Sequence, residues 1–141
     1  MYQILQPLHS YLAYFVLAGL VISVVVVLMN NGKPFTDRER KLSLLGLIPA
    51  HLQWVFGVIL YFVSPLGINS ATAGFMKNSS LRLYVMEHPL MMVIAVVLIT
   101  VGYSRAKRMI GSDKGNKSIL IFYAIGLVLI LSRIPWGNWP G

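Results

Sequence analysis

The sequence predicts an all-α protein: a four-helix transmembrane bundle forming one domain over residues 1–141, with both termini on the non-cytoplasmic side. Three observations predict it. First, four apolar runs fill most of the 141 residues, each close to the roughly 20 residues a helix needs to cross hydrocarbon. Second, only 11% of the residues are charged and 57% are hydrophobic, against about 25% charged in a soluble domain, and the mean hydropathy is +0.72. Third, most of the twelve Lys and Arg residues sit in two of the breaks between runs. The first break holds Lys33, Arg38, Arg40 and Lys41, and the third holds Arg105, Lys107, Arg108, Lys114 and Lys117.

Span one is expected from about Leu8 to Met29, closed by Asn30, Asn31, Gly32, Lys33 and Pro34. Its valine-rich stretch would suit a strand in water, but a lone strand in lipid leaves its backbone groups unsatisfied, so helix is expected. Span two is expected from about Leu42 to Val63, closed by Ser64, Pro65, Leu66 and Gly67. Pro49 lies inside it and predicts a mild kink. Span three is expected from about Tyr84 to Tyr103, with Pro89 in its first turns. Span four is expected from about Ile119 to Trp136, ended by Pro135, Gly137 and Pro140. The small residues Gly46, Ala50 and Gly57, with Tyr61, read as a helix-packing stripe. Met86, Met91 and Met92 read as gap-filling core.

Basic loops facing the cytoplasm follow the positive-inside pattern. The termini and the 64–83 loop then face outward, with Tyr2, Tyr11, Tyr61, Tyr84, Trp136 and Trp139 near the outer interface as an aromatic belt. The formal net charge of +8 is accounted for by topology, and nucleic acid is not an expected partner. Membrane lipid is, and anionic head groups could be drawn to the basic loops. The chain has no Cys, which excludes disulfides, thiolate metal sites and covalent haem attachment. The N-terminus has no basic region and no small-residue cleavage site, so no secretory leader is expected.

Three histidines and one acid interrupt the apolar runs: His9, His51, His88 and Glu87. Ionisable groups in a span are costly and are functional or paired. His9 and His88 both enter from the outer side, roughly one turn into spans one and three, so about 5–8 Å below the interface. Arg133 falls at a similar level, and Glu87 adjoins His88. His51 is about 20 Å from the outer end of span two, near the midplane, with Gln53 and Trp54 close by.

One reading of this layer is b-type haem. Iron accepts two axial imidazoles, and bundle cores place ligands on facing helices. Spans one and three are diagonal in an up-down bundle, so His9 and His88 form the preferred axial pair, with His51–His88 the competing pair. Arg133 would hold a propionate or pair with Glu87. A second reading is a quinone site, in which His, Glu and Arg hold the head group. A third is structural: interhelical hydrogen bonds and a Glu87–Arg133 ion pair in a non-catalytic accessory subunit. A two-His-one-carboxylate metal site from His9, Glu87 and His88 is disfavoured, since adjacent side chains diverge by about 100° on a helix.

The strings LQPLHSYL, AHLQWVFGVILYFVSP and MEHPLMMVIAVVLITVGYSRAKR resemble a family of small four-span membrane proteins of Bacteroidota that carry the label cytochrome b. The similarity extends over nearly the whole chain. It implies a multi-pass protein of the bacterial inner membrane that binds haem through His9, His51 or His88. The expected function is a b-type cytochrome-like electron carrier or a haem-bearing subunit of a respiratory complex. A chain of this size has little room for a full enzyme, so other membrane subunits or further copies of itself are the expected partners.

Overall fold

The structure is a computed structural model and describes residues 1–140. It is all-helical, with four helices long and apolar enough to cross a membrane. Helix α1 spans Tyr2–Met29 and α2 spans Asp37–Val63. After two 3-10 turns, Ile68–Ser70 and Phe75–Lys77, the third span α3 runs over Ser79–Met109. It joins a short α-helical turn, Ser79–Arg82, a π turn, Leu83–Glu87, the α-helix His88–Ala106 and a closing 3-10 turn, Lys107–Met109. Helix α4 spans Lys114–Ser132.

Six ends differ from the sequence expectation: the four spans begin five or six residues early, at Tyr2, Asp37, Ser79 and Lys114, α3 runs on to Met109 and α4 stops at Ser132. Helix α1 begins at Tyr2 and runs on through Pro7, which lies inside the helix beyond its first turn. Helix α2 begins at Asp37, ahead of the apolar run. There Thr36 and Glu39 form a capping box in which the Thr36 N–H donates to Glu39 Oε1 at 2.8 Å. Helix α4 stops at Ser132, short of Trp136, because Pro135 cannot continue a helix and disfavours helical backbone just before it.

Each helix packs on its two neighbours in the order α1, α2, α3, α4 and back to α1, so α1 and α3 lie on one diagonal and α2 and α4 on the other. Both termini lie at one end: the Trp139 indole N–H donates to the Ser10 carbonyl at 3.1 Å, tying the tail to α1.

Proline shapes two of the seams. Pro49 has no N–H for the carbonyl of Leu45, so that oxygen is turned loose. Gly19 of α1 lies directly over it, and a Cβ at Gly19 would stand 1.8 Å from Leu45 O. Further along, the Tyr123 hydroxyl donates to Ser43 O at 2.8 Å and the Ser118 hydroxyl to Gly102 O at 2.9 Å. In an apolar surround each such bond satisfies a group that water would otherwise serve.

The opposite end carries the basic loops. Asn116 clamps them: its Nδ2 donates to Lys33 O at 2.7 Å and to Asn30 O at 3.1 Å, while Asn30 Nδ2 donates back to Asn116 Oδ1 at 3.0 Å. Asp113 accepts from the Gly32 N–H at 2.9 Å and from Asn116 at 3.1 Å. These bonds hold its carboxyl below the usual carboxylate range, Asn116 contributing most and Gly32 next.

Candidate functional site: a two-histidine cavity

Pro89 sets up the site. Its ring crowds the carbonyl four residues back, Val85, and it offers that carbonyl no N–H. The helix answers with the π turn Leu83–Glu87, a deviation that recurs at functional sites. Val85 O is left over, and the Tyr61 hydroxyl of α2 donates to it at 2.7 Å. His88 follows directly and points into the bundle.

His88 Nδ1 lies 2.8 Å from the carbonyl oxygen of Arg133. A carbonyl only accepts, so Nδ1 carries the proton and Nε2 keeps its lone pair in the neutral ring. This carbonyl is available because Arg133 is the cap residue beyond the last turn of α4, outside the helical ladder. The early stop of α4 thereby orients the histidine.

His9 meets His88 across the α1–α3 diagonal, with ring centres 6.4 Å apart and planes at 87°. Gly57 of α2 makes room for the His9 ring: a Cβ there would stand 3.1 Å from its Cε1. Gln53 Nε2 donates to the His9 carbonyl at 2.8 Å. Two polar atoms here, His9 Nδ1 and Gln53 Oε1, are buried without a hydrogen-bond partner. Buried polar atoms are nearly always satisfied, so two orphans in one place mark a binding position.

Both histidines line a cavity of about 500 Å³ walled by all four helices, within the size range of small-molecule sites. Tyr2, Tyr61, Tyr84 and Trp139 line its terminal end, and the rest of the wall is mostly aliphatic, with Gln6, Ser10, Gln53, Ser64 and Asn138 adding polar groups. The cavity also reaches the lateral surface between α2 and α3. Trp54, Val58 and Val93 line it there and are 41%, 37% and 42% exposed. Two interhelical hydrogen bonds frame this window, Tyr61 to Val85 on one side and His51 to Thr100 on the other.

His51 stands apart from the other two histidines. It is exposed on the outer face of α2 and does not line the cavity. Its Nε2 lies 2.8 Å from Thr100 Oγ1, and the single Thr100 hydroxyl proton goes to Val96 O at 2.7 Å, so His51 is the donor. Thr100 is about 18 Å along α3 from His88 by helix rise, so the alternative pairing of His51 with His88 is not assembled. Arg133 contributes its carbonyl to the site, while its guanidinium turns to Ser132 O at 2.8 Å and lies 3.9 Å from Glu87. The closer partner of Glu87 is Arg82, at 2.9 Å. Among the described residues no three His, Cys, Asp or Glu side chains gather as a metal site.

Arg82, Gly57 and the Arg133 carbonyl were not singled out for these roles by sequence. Residues five apart point about 140° away from each other on an α-helix. Only the π turn brings Arg82 onto Glu87. Comparison with known protein families, with curated proteins and with solved structures gives no match.

Proposed function

We propose that this chain is a b-type haem protein of the bacterial inner membrane, an electron carrier or haem-bearing subunit of a larger redox complex, akin to the small four-span cytochrome b-like proteins. The observation that carries the reading is the pair of imidazoles, His9 and His88, 6.4 Å apart across a 500 Å³ cavity on the bundle diagonal. The donor set suits haem iron: two neutral imidazoles, one already fixed in its tautomer by a backbone carbonyl, in an apolar chamber. When bound, haem supplies one-electron chemistry. The chain's own residues hold the ligands in place. Arg133 O orients His88, Gly57 and Gln53 seat His9, and the aliphatic walls limit water at the site, which shifts redox potential. Arg82, Glu87 and Arg133 form a charged cluster beside His88, suited to a propionate at the rim.

The basic loops put the Asn116 end at the cytoplasm and the termini and cavity at the opposite face. Partners in electron transfer would then dock at the cavity end, as separate membrane subunits or further copies of this chain.

A quinone or quinol is the second reading, favoured by the lateral window past Trp54 and Val93 and by the unpartnered His9 Nδ1 and Gln53 Oε1. The test is an absorbance spectrum of detergent-purified protein, oxidised and dithionite-reduced. Haem predicts a Soret band and sharp reduced α and β bands. Folded protein that stays colourless after haem supplementation overturns the haem reading and leaves the quinone site.

A further inference from the structure

The basic end holds a second concavity, unconnected with the histidine cavity. It is a groove of about 230 Å³ lined by Val26, Met29, Asn30, Lys33 and Arg38. One side is apolar and belongs to the last turns of α1. The other is polar and belongs to the loop that follows and to the start of α2. The two chemistries meet where a membrane helix leaves hydrocarbon.

The cations are available and well placed. Arg38 is 73% exposed, and one of its N–H groups bonds Glu39 at 2.8 Å, which leaves most of its donor fork free. The neighbouring acid Asp37 is taken by Arg40 and Lys41. Among the described residues Lys33 has no ion-pair partner. The Lys33 backbone is fixed by Asn116 at 2.7 Å and by its own N–H to Asn30 O at 3.0 Å, so its ammonium is presented from a rigid loop. Preorganised donors bind at lower entropic cost than mobile ones.

The apolar side continues beyond the groove. Ile22, Val26 and Met29 follow one another at four and three residues, so they share one face of α1, and Ile22 and Met29 are 45% and 77% exposed. A stripe of this kind suits an acyl chain lying along the helix, and a free anion would gain nothing from it.

We infer that this groove binds a phospholipid with a net-negative head group, its phosphate on Lys33 and Arg38 and one acyl chain along Ile22, Val26 and Met29. The inference is independent of what fills the histidine cavity. It is tested by native mass spectrometry of the full chain released from neutral detergent supplemented with phosphatidylglycerol or phosphatidylcholine. Phosphatidylglycerol adducts are expected on the wild type. Lys33→Gln with Arg38→Gln should reduce apparent affinity about thirty-fold, by the usual weight of basic residues near anionic lipid. Met29→Trp, which fills the apolar side and keeps both charges, should also reduce it. Arg105→Gln with Lys107→Gln, at the same end but outside the groove, should leave it unchanged. Equal loss in the groove and control variants would mean diffuse charge attraction and overturn the site. Displacement of bound lipid by inorganic phosphate would reassign it to the free anion. Retained binding in the double variant and in Met29→Trp would also overturn it.

Discussion

Two side chains of the cavity rim carry tests at the residue scale. Glu87 has two arginines within reach, Arg82 at 2.9 Å and Arg133 at 3.9 Å, all three partly exposed. Partial exposure keeps such pairs weak, so the Arg82–Glu87 coupling is expected at about 0.5–1 kcal/mol and the Arg133–Glu87 coupling near zero. Double-mutant cycles read by unfolding measure both, and a larger Arg133 coupling would reverse the assignment. Tyr61→Phe removes the donor to Val85 O and should cost about 0.6 kcal/mol, the usual weight of an interhelical hydrogen bond in a membrane protein, with about 1.7 as the ceiling. An unchanged melting temperature would mean that Val85 O is served by another group. What the sequence made legible here was the type of the groups and their common level in the bundle: His9 and His88 were read as one layer, and their rings lie 6.4 Å apart. It did not reveal Arg82, because the Arg82–Glu87 approach depends on a π turn and periodicity assumes an α-helix. Nor could it reveal that Arg133 works through its carbonyl, which follows from where α4 ends.

At the scale of elements, two prolines decide much of the packing. Pro49 and Pro89 each free a carbonyl, and the fold answers each differently, with a glycine laid against Leu45 O and with a tyrosine hydroxyl on Val85 O. Gly19→Ala would place a methyl 1.8 Å from Leu45 O, backbone that cannot swing aside. The expected cost is about 1–3 kcal/mol, the range for overpacking, read as a lowered melting temperature in detergent. Gly32→Ala is a poor comparison because its backbone has φ +81°, so Ala18→Gly on the exposed face of α1 is the better control for propensity alone. The four spans were legible in the sequence because twenty apolar residues leave lipid-compatible backbone one solution. Their ends were less so. Hydropathy registers apolar length, whereas the Thr36–Glu39 capping box and Pro135 set the start of α2 and the stop of α4 by hydrogen bonding and ring geometry. The direction of His51 depends on helix rotation, which the sequence does not give, and the structure turns it outward to Thr100.

Over the whole molecule, the two ends do different jobs. The basic end is a clamp in which Asp113 and Asn116 tie the loop after α1 to the start of α4. The Asp113 carboxyl is held below its ordinary value, so its contribution to stability is fully present above that value. The contribution is lost as the pH falls through the depressed one. Thermal melts between neutral pH and pH 3 should show an acid loss that Asp113→Asn makes smaller, the remainder belonging to Asp37 and Glu39, whose carboxyls are also held below their ordinary values. The same acid slope in wild type and variant would place the sensitive group elsewhere. The histidine end is the looser one, with a cavity and a lateral window where the other end has interlocked loops. A bundle closed at one end and hollow at the other is suited to holding a guest without unfolding when it leaves.

The central claim is that His9 and His88 together bind haem. The most direct measurement is the reduced-minus-oxidised spectrum of the purified wild type beside His9→Ala, His88→Ala and His51→Ala, each at equal protein and after haem supplementation. The account predicts sharp α and β bands in the wild type and in His51→Ala, and their loss in His9→Ala and His88→Ala while all four proteins remain inserted and folded. Full pigment in both His9→Ala and His88→Ala, or none in any protein, would contradict it.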